Sequence, residues 1–342
     1  MKISAMSTLS VASAMQLTVA NTQKDIVKLQ RESVTGTFYD VGIELGVSTS
    51  QSLNFSRDSA RLQALVDSNA LAEERMDNSQ LAMEQMSASA QNILNTFVGI
   101  SGSGDSTSIT VASNTALGEL QNFMGYANTA VKGEYLFSGI NTDAQTLSNT
   151  FVEDLQSDFD TAFSNYQTAN GITDVTTMTA TQMTDFLDDY TANFDWASWT
   201  NASDSAMSSR INTAETVDSS VSINKDGFKN LVLAAVIGAQ LGDEQLPSAT
   251  RAAVTARVTS LSGAAVSGVD NSRSQLGLSQ SRVEKANDSM KAQKTIIDTQ
   301  LSNLVGVDKY EASTKLTTLM TQIETSYSIT ARIQQLSLVN FL

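Results

Sequence analysis

Apolar residues recur along this chain in alternating steps of three and four, the spacing that places them on one face of an α-helix. Ala12, Met15, Val19, Thr22, Ile26, Leu29 and Ser33 follow it, and Val34–Gly36 offers a stop. The next stretch, TFYDVGIELGVSTS, sets glycines among β-branched residues and reads as a loop or short extended segment. Leu62, Leu65, Asn69, Ala72, Met76, Ser79, Met83, Met86, Ala90, Ile93 and Phe97 then keep the alternation without a break. They predict a helix from about Ser59 to Val98, on the order of 60 Å long at 1.5 Å per residue. A helix of that length needs partner helices along it. GISGSGDSTS, Gly99 to Ser108, ends it, and Leu117, Leu120, Met124, Ala127 and Val131 mark a third.

The pattern changes in the middle. Residues 133 to 209 hold twelve Asp and Glu and no Lys or Arg, with both tryptophans, Trp196 and Trp199. Phe151, Leu155, Phe159 and Phe163, four apart, suggest a short amphipathic helix, TATQMTDFLDDY another, and Ser208 to Asn224 looks extended. This shift in composition predicts an inserted domain whose removal would spare both heptad series. The helical pattern then returns. Phe228, Leu231, Val232, Ala235 and Val236 form one helix, and Val254, Val258 and Leu261 open another. The latter continues through Leu276, Val283, Met290, Ile297 and Leu304, each seven after the last, until Gly306 interrupts. A final helix carries Leu316, Leu319, Met320, Ile323, Tyr327, Ile333 and Leu336, and the chain closes on apolar LVNFL.

The expected fold is mainly α: an elongated rod of paired N- and C-terminal long helices with a small inserted α+β domain. Its expected parts are a terminal helical assembly domain (1–45 and 305–342), a helical rod domain (46–142 and 225–304) and an acidic outer insertion (143–224). Heptads of this extent are a strong signal for helix packing, but they leave open whether it is within one chain or between chains. The apolar end, Val339, Phe341 and Leu342, favours cover by something else. Within the terminal helices, Leu316, Leu319, Ile323, Ile333 and Leu336 should face Met15, Val19, Ile26 and Leu29.

Composition narrows the functions. A formal net charge of −15 argues against nucleic acid, whose phosphates need Lys and Arg, and against an anionic membrane surface. With no Cys and no His, catalysis by a Cys/His pair, a His-based triad or a Cys/His zinc site is excluded. A single proline in 342 residues permits long uninterrupted helices. Asp185, Asp188 and Asp189 share a helical turn, but no calcium-loop pattern accompanies them, and a solvated acidic surface explains them better. No cofactor, metal or catalytic residue is expected. No cleaved signal peptide is expected either, since Ser and Thr break every apolar run near the start. The longest apolar run, LVLAAVIGA, is too short to span a bilayer.

One motif fits neither periodicity. KGEYLFSGINT, Lys132 to Thr142, packs Tyr135, Leu136 and Phe137 together before a Ser138-Gly139 turn. GEYLFSGINT resembles the tyrosine-leucine-phenylalanine-serine-glycine turn of the bacterial hook-associated protein 3 family, the hook-filament junction proteins, which are homologous to flagellin. The opening MKISAMSTLSVASAMQLTVANTQKDIVKLQRESVTG, the segment ASDSAMSSRINTAETVDSSVSIN and the end SYSITARIQQLSLVNFL are similar to that family too. DVGIELGVSTSQSLNFSRD resembles its alphaproteobacterial version, departing from the commoner pattern of a basic residue after Thr-Gly and a later Asp-Asp-Pro. The likeness is weakest from about 150 to 200.

The resemblance implies a non-enzymatic structural protein of the extracellular flagellum, exported by the flagellar type III apparatus. It implies self-association into a ring, and as partners hook-associated protein 1, flagellin and an export chaperone covering the C-terminal helix. Tyr135, Leu136, Phe137, Ser138 and Gly139 would form the turn where core helices hand over to the insertion. Flagellin itself, the bulk filament subunit, is the alternative, because both share terminal helices. A monomeric secreted adhesin or enzyme with a helical stalk is a third class and would need a pocket of convergent polar groups.

Overall fold

The computed structural model describes residues 8–101, 105–241 and 245–339, with side chains for all of these except 8, 9, 11, 12 and 333–339. In chain order the helices and strands are α1 (Thr8–Thr35), α2 (Val41–Leu45), α3 (Thr49–Ile100), α4 (Ser106–Ala127), β1 (Ala130–Val131), β2 (Glu134–Tyr135), α5 (Phe151–Ala169), α6 (Ala180–Asn193), β3 (Ser208–Arg210), β4 (Thr216–Asp218), α7 (Asp226–Leu241), α8 (Ser248–Val305) and α9 (Lys309–Val339). The fold is mainly α. The described strands form two antiparallel hairpins, β1 with β2 and β3 with β4.

One stretch differs from expectation. Thr37 to Asp40 are non-helical, with Thr37 bridged to Gly306, but Val41–Leu45 is helical: Asp40 caps α2, its carboxylate accepting the Ile43 N–H at 3.0 Å, and α3 starts at Thr49 rather than near Ser59. A good N-cap outweighs the weak helix propensity of glycine and β-branched residues. The chain divides into two compact units. The first is Met1–Ala64 with Met290–Leu342, the second Leu65–Ser289.

In the first unit α1 and α9 pair antiparallel, Gln23 donating to the Tyr327 hydroxyl at 2.9 Å and Thr330 lying 3.8 Å from the Met15 sulfur. Gly36, at φ +74, ends α1 in the left-handed conformation usual one residue past a helix. The chain leaving α1 then meets the chain leaving α8: Phe38 N–H donates to Val305 O at 3.0 Å and Val307 N–H to Gly36 O at 2.9 Å.

The core of the second unit is α7. It is apolar on all sides, which marks a helix buried in a core. Phe228, Leu231 to Ile237 and Leu241 are all at most 2 % exposed, and α4 and α5 pack against it. Met76, Met83, Met86, Ile93 and Phe97 of α3 are fully or almost fully buried, as are Val269, Leu276 and Val283 of α8. Here α3 and α8 are antiparallel, with Asn69 opposite Asn287 (2.7 Å), Gln80 opposite Gln280 (3.1 Å) and Ser87 opposite Asp270 (3.0 Å).

Residues 143–224 belong to this same unit. Phe151, Leu155 and Phe159 of α5 are fully buried, and Thr200 bridges back to Leu147. Removing 150–210 would take α5 away from α7.

Candidate assembly interface and central turn

The residues expected to pair the chain ends lie on α1 and α9, two helices that pack together. Met15, Val19, Ile26 and Leu29 on α1 and Leu316, Leu319 and Ile323 on α9 are all half-buried. The side chains of Ile333, Leu336 and Val339, together with Phe341 and Leu342, lie outside the described residues, as does the side chain of Ala12. Two helices cannot enclose each other, so each covers only one stripe of its partner.

Their outward faces carry apolar residues, most of which, Met320 excepted, periodicity did not single out. Leu17 is 65 % exposed, Val27 57 % and Met320 51 %, and in the following segment Ile43 reaches 80 % and Val47 97 %. The signal was available as apolar residues off the main stripe. Beside them a groove of about 670 Å³ holds Lys28 paired with Glu44 at 2.6 Å and Lys315 paired with Glu311 at 2.7 Å. The hydrogen bond and charge of Glu44 raise the Lys28 ammonium above its ordinary range. Glu32, 4 % exposed, accepts the Tyr39 N–H at 2.9 Å. These charges are tied to one another and to backbone, which suits a fixed surface.

The central motif is a node of the second unit. Lys132 and Gly133 both have positive φ and form the two-residue loop between β1 and β2, as such tight hairpins require. Lys132 pairs with Glu74 and Glu134 with Arg75, tying the hairpin to α3. Tyr135 is half-buried and donates its N–H to Thr142 O at 2.8 Å, while Leu136 and Phe137 are fully buried. The Phe137 ring meets Phe228 of α7 edge-on at 6.1 Å, and its carbonyl accepts the Ile223 N–H at 3.0 Å.

Ser138, also fully buried, donates through its hydroxyl to Ala144 O at 2.9 Å and accepts the Ser203 N–H on its carbonyl at 3.0 Å. Gly139 follows at φ +67 in the turn closed by Asn141 N–H to Ser138 O (3.2 Å). A Cβ there would stand 2.4 Å from Ser203 O. The motif thus joins α3, α7 and the segment 200–224, a set of partners that local sequence does not name.

The acidic insertion offers no metal centre in its geometry. Asp188 is paired with Arg257 of α8, and among the described residues no three His, Cys, Asp or Glu side chains are grouped to hold an ion. Among the described residues no helix is long and apolar enough to cross a membrane.

Residues 6–142 match the model of the bacterial flagellin N-terminal helical region, and residues 259–342 match that of the bacterial flagellin C-terminal helical region. The chain belongs to the flagellin superfamily. The two matched regions contain all of α1 and α9, the N- and C-terminal helices whose pairing is described above. A solved structure described as a flagellar hook-associated protein from Vibrio parahaemolyticus aligns with a TM-score of 0.55 over 75 % of this chain and 97 % of that one. At 12 % identity the likeness is one of fold. No curated protein matches the chain.

Proposed function

We propose that this flagellin-superfamily chain is a structural, non-enzymatic protein of the extracellular flagellum, joining the hook-associated zone to the flagellin filament. The observation that carries the junction reading is the motif GEYLFSGINT, which resembles the turn of the junction family and here occupies a buried node. The exposed apolar residues of α1, α9 and the segment between α1 and α3 support self-association, because soluble monomers rarely leave such residues grouped and uncovered. Hook-associated protein 1 on one side, flagellin on the other, further copies in a ring and an export chaperone are the partners this reading requires, with export through the flagellar type III apparatus.

The second reading, bulk flagellin, is favoured by the flagellin description of both matched regions. A deletion strain separates the two. Intact hooks without filaments, with flagellin accumulating in the medium, support the junction reading. Loss of the main filament protein itself from the culture supports the second and overturns the first.

A further inference from the structure

The aromatic residues of the insertion do not seal into a closed core. Rings run in contact from Phe159 to Tyr190 (4.9 Å between centroids), Tyr190 to Phe194 (5.8 Å) and Phe194 to Trp199 (6.3 Å). Tyr166 joins them through Phe186 at 5.4 Å. Against this array opens a cavity of about 380 Å³, within the range of small-molecule sites, lined by Tyr166, Tyr190, Phe194 and Trp199.

The charged groups lining it are all carboxylates: Asp158, Asp189 and Asp195. Asp158 accepts the Tyr190 hydroxyl at 3.2 Å, and among the described residues neither Asp189 nor Asp195 forms an ion pair. Burial first, then the charges of Asp185 and Asp189, hold the Tyr166 hydroxyl above its usual range, so the ring lies in a negative field. Lys229, which does not line the cavity, holds its ammonium 6.0 Å from the centre of the Phe194 ring, a cation already seated on this array.

The polar groups choose between ligand classes. A neutral sugar needs donors as well as acceptors. Here the Asn193 amide and the Ser198 hydroxyl are turned onto the backbone oxygens of Asp189 (2.9 Å) and Asp195 (2.8 Å). What remains at the cavity is aromatic surface, the Tyr166 hydroxyl, the Trp199 indole N–H and three carboxylates, and the excess of carboxylates over donors favours an organic cation. We propose that this cavity binds a quaternary or alkylated ammonium group, held over the faces of Tyr166, Tyr190, Phe194 and Trp199 and neutralised by Asp158, Asp189 and Asp195.

The test uses the full chain at low salt. Trp196 and Trp199 are its two tryptophans, and Trp199 lines the cavity, so intrinsic fluorescence reports occupancy. Choline chloride should give a saturable change that sodium chloride at equal ionic strength does not, with 3,3-dimethylbutanol, its uncharged isostere, binding at least severalfold more weakly. Tyr166→Leu should weaken choline about two- to fivefold, the loss of one ring face. Asp189→Asn with Asp195→Asn should weaken it about threefold at low salt. Both carboxylates are exposed, so this double variant should keep the wild-type circular dichroism and carry the test if Tyr166→Leu does not fold. Co-sedimentation with phosphatidylcholine vesicles that choline competes away assigns a lipid headgroup; choline binding without it assigns a soluble ammonium. An unsaturable response, or dimethylbutanol binding as tightly as choline, overturns the proposal.

Discussion

Asn69 is the sharpest test of how the second unit is held together. It sits 1 % exposed in the apolar stripe of α3, and its amide donates both to Asn287 Oδ1 of α8 at 2.7 Å and to Ile211 O of the segment after β3 at 2.9 Å. Asn287 passes the chain on to Glu73 at 3.0 Å. One side chain therefore fixes the register of two helices and the seat of a hairpin. Asn69→Leu would continue the apolar stripe and return about 1.5–3 kcal/mol of burial. It would also strand two buried acceptors at about 1–3 kcal/mol each. The change also removes Asn69 Oδ1, itself buried without a partner, so the two stranded acceptors leave a net loss of at most about 1–3 kcal/mol.

Asn287→Leu should cost less, because Asn69 keeps Ile211 and Glu73 is half-exposed to water. The double variant should recover part of the loss, with a coupling of about 1–2 kcal/mol. Urea unfolding followed by tryptophan fluorescence reads this unit, since both tryptophans lie in it. An unfolding midpoint that rises on Asn69→Leu, at unchanged slope, refutes the argument: the asparagine would then be a tolerated polar residue and not a register pin.

Three further outcomes are expected. Gly139→Ala places a Cβ at φ +67 against Ser203 O, so it should lower stability by at least about 2 kcal/mol, and a wild-type urea midpoint would show that the turn yields freely. Ile323→Asp should cost the monomer little, about 1 kcal/mol for a half-buried side chain, yet abolish complementation of a deletion strain, whereas Thr318→Asp on an exposed position should complement; exported Ile323→Asp protein that restores normal filaments would contradict the role given to this stripe. Burial and then the charge of Asp158 hold the Tyr190 phenol well above its ordinary range. Its folded value being raised, the stability it contributes is complete below the unfolded value and is lost as pH climbs past about 10. Tyr190→Phe should flatten the alkaline fall of the urea midpoint, and an unchanged slope against pH would rule that cause out.

Much of this architecture is legible along the chain, because helical periodicity is a local property. Leu276 and Val283 are seven apart and both buried, and Met76, Met83 and Met86 fill the same unit as their spacing implies. Positions were readable where partners were not. Asn69 shows as a polar break in an apolar stripe, but nothing near it names Ile211, which lies far along the chain. Gly139 shows as a turn residue, while its need for glycine comes from the distant backbone of Ser203. The short helix after α1 was hidden by its glycines, since a single capping aspartate decided it. The acidic insertion stands out by its charge, whereas the packing of its α5 on α7 is not written in local sequence.

The claim that matters most is the chain's place in the flagellum, and immunogold labelling of isolated hook-filament structures tests it most directly. With an epitope on the exposed loop at Gly171, the account predicts gold confined to a short band where hook meets filament. Gold spread evenly along the filament would contradict it and identify the chain as a bulk filament subunit.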